Sequence, residues 1–168
     1  IRAVVKALKD YPNFNSSLDL ENKKIIYKKY FHIGIAVDTP HGLMVPKIRD
    51  ADKKDIRGLG KELKRVSKLS AELKIDKKEF FGGSMTISSL GSIGGSFFTP
   101  IINQPEVAIL GIGRSARKQV FTGEKYESRI MLPLSLSYDH RIIDGVEGAK
   151  FCVHLKESLG KDFAYKLA

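Results

Sequence analysis

His140 and Asp144, four residues apart within Leu134–Gly145, are set by the sequence on a loop between a strand and a helix start, where a base would sit. Imidazole ordinarily titrates near pH ~6.5, so a histidine held in a rigid connector can act as a general base near neutrality, typically contributing roughly 10²–10⁴-fold to a rate. The sequence predicts such a connector. Apolar residues alternate from Ile130 to Ser137 as in a strand, and Asp144 with Glu147 three positions on has capping-box spacing for a helix running to about Leu159. Each residue also has an ordinary structural explanation. A lone histidine is more often packed or exposed than catalytic, and the Asp144 carboxylate can cap the helix by accepting from the Glu147 N–H.

Other chemistries fit less well. A Ser-His-Asp hydrolase requires an activated serine, yet no Gly-x-Ser-x-Gly elbow occurs. Gly111-Ile-Gly113-Arg-Ser-Ala116 matches a dinucleotide fingerprint in spelling, but residues 117–137 read as a β-hairpin, so no helix N-terminus would receive a pyrophosphate. His32, His41, His140 and His154 are scattered, and Cys152 with His154 makes no zinc site, so no metal is expected. No nucleic-acid-binding motif is visible. Only the net charge of +10, distributed as +8 over residues 1–80 and +2 over the rest, would favour an anionic partner.

The positioning elements follow from periodicity and turn residues. Ile1, Val4, Val5 and Leu8 mark an opening helix, and a hairpin is expected from about Ser17 to Tyr30 around Glu21–Lys24. Two strands, Phe31–Asp38 and Leu43–Arg49, join through Thr39-Pro-His-Gly42, leaving Asp38 at a strand end. Asp52 is the expected cap of a lysine-rich helix to about Leu73, with Ile56, Leu59, Leu63, Val66 and Leu73 on its apolar face. Gly82-Gly83 opens a strand Met85–Ser88, followed by a serine- and glycine-rich loop, Ser89–Ser96, whose backbone can approach a ligand closely. A strand Glu106–Gly113 and a hairpin about Thr122–Lys125 complete the sheet.

Length and composition suit one globular domain: 168 residues, 42% hydrophobic, 15 Gly and six Pro. No apolar run reaches the roughly 20 residues that span a bilayer, and no leader pattern precedes the first helix. A single cysteine, Cys152, excludes an internal disulfide and reads as a small packed residue, which suits an intracellular protein. The Asn15-Ser16-Ser17 sequon is then expected to be structural.

The string Tyr138–Gly145, with its His140-x-x-x-Asp144-Gly145 core, resembles the active-site signature of the dihydrolipoamide acyltransferases that form the cores of 2-oxo acid dehydrogenase complexes. Four more blocks resemble that family in family order: Phe14–Ser17, Phe31–Pro46, Thr86–Gly95 and Pro105–Gly111. The resemblance implies an α/β two-layer sandwich with a mixed sheet, similar to chloramphenicol acetyltransferase. It also implies assembly into trimers and a larger hollow particle. The implied reaction moves an acyl group, acetyl or branched-chain, between S-acyl-dihydrolipoamide and coenzyme A by thiolate attack on a thioester.

In that scheme His140 is the base, and Ser88, matching the family serine in Thr86-Ile-Ser88, donates to the oxyanion. The two come from neighbouring subunits. Asp144, with Arg141, shapes the His140 loop. Asp38, Ser88, Ser89, Gly113 and Ser115 match positions lining the coenzyme A side of a channel, while the lipoyl group is carried on a separate domain. Residues 1–168 would be an N-terminally incomplete acyltransferase catalytic domain without its lipoyl and partner-binding domains. Its implied partners are copies of itself, lipoyl domains and other components of the dehydrogenase complex. Nucleic acid and membranes are not among them, and the compartment is the cytoplasm, or the mitochondrial matrix in a eukaryote. An inert structural core of the same fold and a basic nucleic-acid-binding module are the alternatives. The intact histidine motif argues against the first.

Overall fold

The computed structural model describes residues 1–160. Helix α1 (Arg2–Asp10) buries Val4, Val5 and Leu8, the face its spacing predicts. The hairpin β1 (Ser16–Asp19) and β2 (Lys24–Tyr27) follows, paired from Ser16↔Tyr27 to Asp19↔Lys24. Asn15 is buried at its base and donates through Nδ2 to the carbonyls of Lys28 and Tyr30, both at 3.0 Å, so the sequon asparagine is structural as expected.

The expected second strand pair is broken in the middle. β3 (Ile33–Ile35) pairs antiparallel with β6 (Lys47–Ile48) in the main sheet, while β4 (Val37–Thr39) and β5 (Gly42–Met44) form a separate projecting hairpin. On its other edge β3 pairs parallel with the strand of Met85–Ser89, a ladder that Ala36 extends by donating to Ile87 O at 2.9 Å.

Helix α2 spans Ile56–Ala71, and its cap is Asp55, which accepts from the Gly58 amide at 2.6 Å, not Asp52. Asp52 sits in a separate 3-10 turn, Ala51–Lys53, pinned by the buried Ala51, whose amide donates to Phe31 O at 2.8 Å. Leu59 and Val66 are buried, but Ile56, Leu63 and Leu73 are exposed, and Leu73 lies beyond the helix. The apolar face is therefore narrower than the sequence spacing suggests.

The remaining strands are β7 (Met85–Ser89), β8 (Ala108–Ile112), β9 (Ala116–Phe121), β10 (Tyr126–Met131) and β11 (Leu134–Tyr138). The main sheet has the order β11-β8-β7-β3-β6. Its central pairs β8·β7 and β7·β3 are parallel and its outer pairs antiparallel, so it is mixed as expected. β8 reads as a nearly unbroken apolar run because it is a central strand, whereas β7, also central, carries Thr86 and Ser88 between its apolar residues. The long strand expected through Ser137 is split at Leu132-Pro133, because proline brings no N–H to a ladder. β10 pairs with β9 in a projecting hairpin and β11 returns to the main sheet. Helix α3 (Gly145–Ser158) packs on β11 and α1, with Phe151 stacked on Phe14 at 4.0 Å between centroids. Cys152 is exposed on α3, not packed, because the buried stripe of this helix runs through Gly148, Phe151 and Leu155.

Candidate active site

The turn after β11 holds His140. Its backbone is fixed on both sides: Asp139 donates its amide to Val107 O at 2.8 Å, and the Ile142 and Ile143 amides both donate to Asp139 O at 3.1 Å. The carboxylate of Asp139 takes a bidentate grip from the Arg141 guanidinium, with Nε at 2.9 Å from Oδ1 and the second nitrogen at 2.6 Å from Oδ2. That grip holds the Asp139 carboxyl below its ordinary pKa, so it stays ionised. Arg141 is therefore committed to Asp139 and acts on the His140 loop through that residue.

Asp144 caps α3, accepting from the Glu147 amide at 2.7 Å. The box is not reciprocal, because the Glu147 carboxylate is taken by Asn13 Nδ2 at 2.9 Å. His140 itself is exposed, its ring tilted against Tyr138 at 5.7 Å, and among the described residues no side chain hydrogen-bonds its imidazole. Beside it, Asp139 and Arg141 line a groove of about 510 Å³ together with Leu18, Leu20, Ile101 and Val107.

Ser88 is half-buried near the end of β7, opposite Gly111 of β8, which in turn faces Ser135 of β11. The other residues matched to the coenzyme A side gather at the same end of the sheet. Ser89 faces Ile112, Gly113 and Ser115 follow β8, and exposed Asp38 lies just past the end of β3, which is parallel to β7. Gly113 is buried where the serine-rich loop crosses it, and a Cβ there would collide with Ser96 O. The Gly95 carbonyl accepts from the Arg114 amide at 2.9 Å, tying the same loop down.

His140 emerges at the opposite end. Tyr138 faces Ala108, three residues before Gly111 on β8, and the chain then leaves the sheet. Three residues of strand rise and two interstrand spacings put Ser88 and His140 at least about 14 Å apart, well beyond hydrogen-bond reach. The candidate residues thus fall into two groups at opposite ends of one sheet. Two features of this region escaped the sequence reading. The Asp139–Arg141 clamp was legible in principle from spacing two apart in a turn, and the buried pair of Lys47 and Glu106 was signalled by a lysine inside an apolar strand.

The two-layer topology, with a mixed sheet covered by helices, is the fold of chloramphenicol acetyltransferase. A chloramphenicol acetyltransferase structure superposes with a TM-score of 0.63 at 15% identity, over 95% of this chain and 75% of its own, a likeness of fold alone. Residues 1–164 match the model for 2-oxoacid dehydrogenases acyltransferase (catalytic domain), and the chain belongs to that family. It is 50% identical over 159 residues to the dihydrolipoyllysine-residue acetyltransferase component of the pyruvate dehydrogenase complex from Cupriavidus necator, covering 95% of this chain. The chain spans only 28% of that relative's length. Two solved structures superpose with TM-scores of 0.95, each over 99% of this chain and 68% of the other. One, 45% identical, concerns the role of a serine, a histidine and an asparagine in the catalytic mechanism of Azotobacter vinelandii dihydrolipoamide acetyltransferase. The other, 46% identical, is the cubic core of the pyruvate dehydrogenase multienzyme complex.

Proposed function

We propose that this chain is the catalytic domain of a dihydrolipoamide acetyltransferase, and that it moves an acetyl group between dihydrolipoamide and coenzyme A in a site built from two protomers. One observation carries the reading. The serine, histidine and asparagine named for the Azotobacter enzyme are spaced 52 and 4 residues apart, as are Ser88, His140 and Asp144 here. Asp144 stands where that enzyme has asparagine, and both side chains can accept the capping hydrogen bond.

The chemistry follows from the residue types. The His140 imidazole takes the proton of the coenzyme A thiol, and the thiolate attacks the thioester carbon of S-acetyl-dihydrolipoamide. The carbonyl oxygen becomes an oxyanion, which the Ser88 hydroxyl stabilises by donating to it. Collapse expels the dihydrolipoyl thiolate, and the imidazolium returns the proton to that sulfur. Because Ser88 and His140 occupy opposite ends of the sheet, one chain supplies the base to one site and the donor to another. Asp38, Ser89, Gly113 and Ser115 lie on the Ser88 side, where coenzyme A would enter.

Assembly fits the surface. Ile25, Ile26 and Tyr27 of β2, Phe121 and Tyr126 of the β9·β10 hairpin, and Ile101, 89% exposed, are apolar groups left to solvent in an isolated protomer. We assign them to contacts between protomers in a trimer and a larger particle. Lipoyl domains and the other components of a pyruvate dehydrogenase complex are the partners this reading entails, with the cytoplasm as compartment. No described helix is long and apolar enough to cross a membrane. The acetyl relatives favour acetyl over branched-chain groups. The test is His140→Ala, assayed with coenzyme A and S-acetyl-dihydrolipoamide. Turnover is expected to vanish with assembly intact, and unchanged turnover would overturn the reading.

A further inference from the structure

Lys47 is an unexpected member of the core. Its side chain is 1% exposed, with Nζ 2.6 Å from Oε1 of Glu106, which is equally buried. The other Glu106 oxygen accepts from Thr86 Oγ1 at 2.6 Å, and Asn103 Nδ2 approaches Oε1 at 3.4 Å. Gly34 and Gly83 leave the cluster its room. A Cβ on Gly34 would stand 2.5 Å from Thr86 Oγ1, and one on Gly83 would collide with Glu106 Oε1.

A buried ion pair is often no more stabilising than an apolar packing of the same volume. Position is the better reason for this one. Thr86 lies on β7 two residues before Ser88, on the same face of the strand. Val107, the neighbour of Glu106, accepts the amide of Asp139, the residue before His140. Residues 106–107 therefore touch both the strand that carries Ser88 and the turn that carries His140, although Ser88 and His140 lie at opposite ends of the sheet.

We infer that Glu106 is a positioning residue for acyl transfer, holding the Ser88 strand through Thr86 while Val107 holds the His140 turn. The inference rests on the acyltransferase reading above. In an assembly it means that one carboxylate sets the geometry of the donor half of one site and, through its neighbour, the base half of the next.

The direct test compares Thr86→Val with Thr86→Ser in the assembled protein, using coenzyme A and S-acetyl-dihydrolipoamide. Valine keeps the volume and loses the hydroxyl that Glu106 holds, whereas serine keeps it. Since a misplacement of about 1 Å can cost ~10²-fold, Thr86→Val is expected to lower kcat about tenfold with KM for coenzyme A unchanged, and Thr86→Ser to restore it. Wild-type kcat in Thr86→Val, or equal loss in both variants, would overturn the inference. Should Thr86→Val fail to assemble, two double variants decide. Lys47→Met with Glu106→Gln keeps an acceptor for Thr86 and should retain kcat within about threefold, while Lys47→Met with Glu106→Leu should lose about tenfold. Equal kcat in those two would overturn it as well. An active His140→Ala sinks the acyltransferase reading itself, whereas an inactive His140→Ala beside a wild-type Thr86→Val sinks only this inference.

Discussion

Replacing Asp144 separates capping from charge in the loop that carries the base. The side chain accepts from the Glu147 amide at 2.7 Å and begins the 14-residue helix α3. Asp144→Ala deletes that acceptor, which at helix N-termini costs about 1 kcal/mol, and removes a carboxylate from the positive end of the helix dipole, worth a further ~0.3–1 kcal/mol. Asp144→Asn keeps the acceptor and loses only the second contribution. For a chain of this size the alanine variant should melt about 3–6 °C below wild type and the asparagine variant within about 3 °C of it, compared at one protein concentration because assembly affects the midpoint. Turnover should follow the cap. His140 lies four residues upstream in the same turn, so fraying the first turn of α3 loosens it. The expected kcat is within about threefold of wild type for asparagine and about tenfold lower for alanine. An alanine variant matching wild type in both melting and kcat would refute the capping argument. An asparagine variant as impaired as alanine would show that the charge, not the cap, is what the site uses.

Ser88→Ala should lower kcat by about 10²–10³-fold with assembly unchanged, the usual loss when one oxyanion donor is removed, and a smaller effect on kcat than on KM would contradict that role. Lys28 gives a pH prediction. Burial lowers its ammonium pKa from the ordinary 10.5 to about 8, while its Nζ donates to Ser16 O at 3.0 Å and Gly83 O at 2.7 Å. Between those two values the unfolded chain binds more protons than the folded one, so stability rises with pH: the burial penalty is full below pH ~8 and fades toward ~10.5. Urea titrations should find wild type gaining about 2 kcal/mol on Lys28→Met across that window, after allowance for solvent screening, and a pH-independent difference would refute it.

Much of the site was legible because its chemistry is concentrated in short strings. The turn Tyr138–Gly145 carries its own strand before and cap after, and both Asp144 and the end of α3 fall where residue types put them. Elements decided by tertiary contacts were harder to read. Asp52 and Asp55 are both plausible caps in sequence, and only the burial of Ala51 and its bond to Phe31 O assigns Asp52 to a separate turn. Leu132-Pro133 lies inside an alternating run, so the jump from the projecting hairpin to the main sheet was marked only by the missing proline donor. Cys152 and Leu73 carry apolar side chains yet face solvent, because a helix stripe is set by what packs against it. The reach of Glu106 across the sheet depends on strand order, which no local pattern encodes.

The central claim, that Ser88 of one protomer serves His140 of another, is tested most directly by mixing two dead variants. Ser88→Ala and His140→Ala homotrimers each lack one group at every site. Unfolded together in equal amounts and reassembled, they form sites that combine an intact serine with an intact histidine in about one quarter of cases if the groups come from different protomers. The account predicts recovery of roughly 25% of wild-type turnover from two inactive parents. No recovery from properly reassembled trimers would place both groups in one protomer and contradict it.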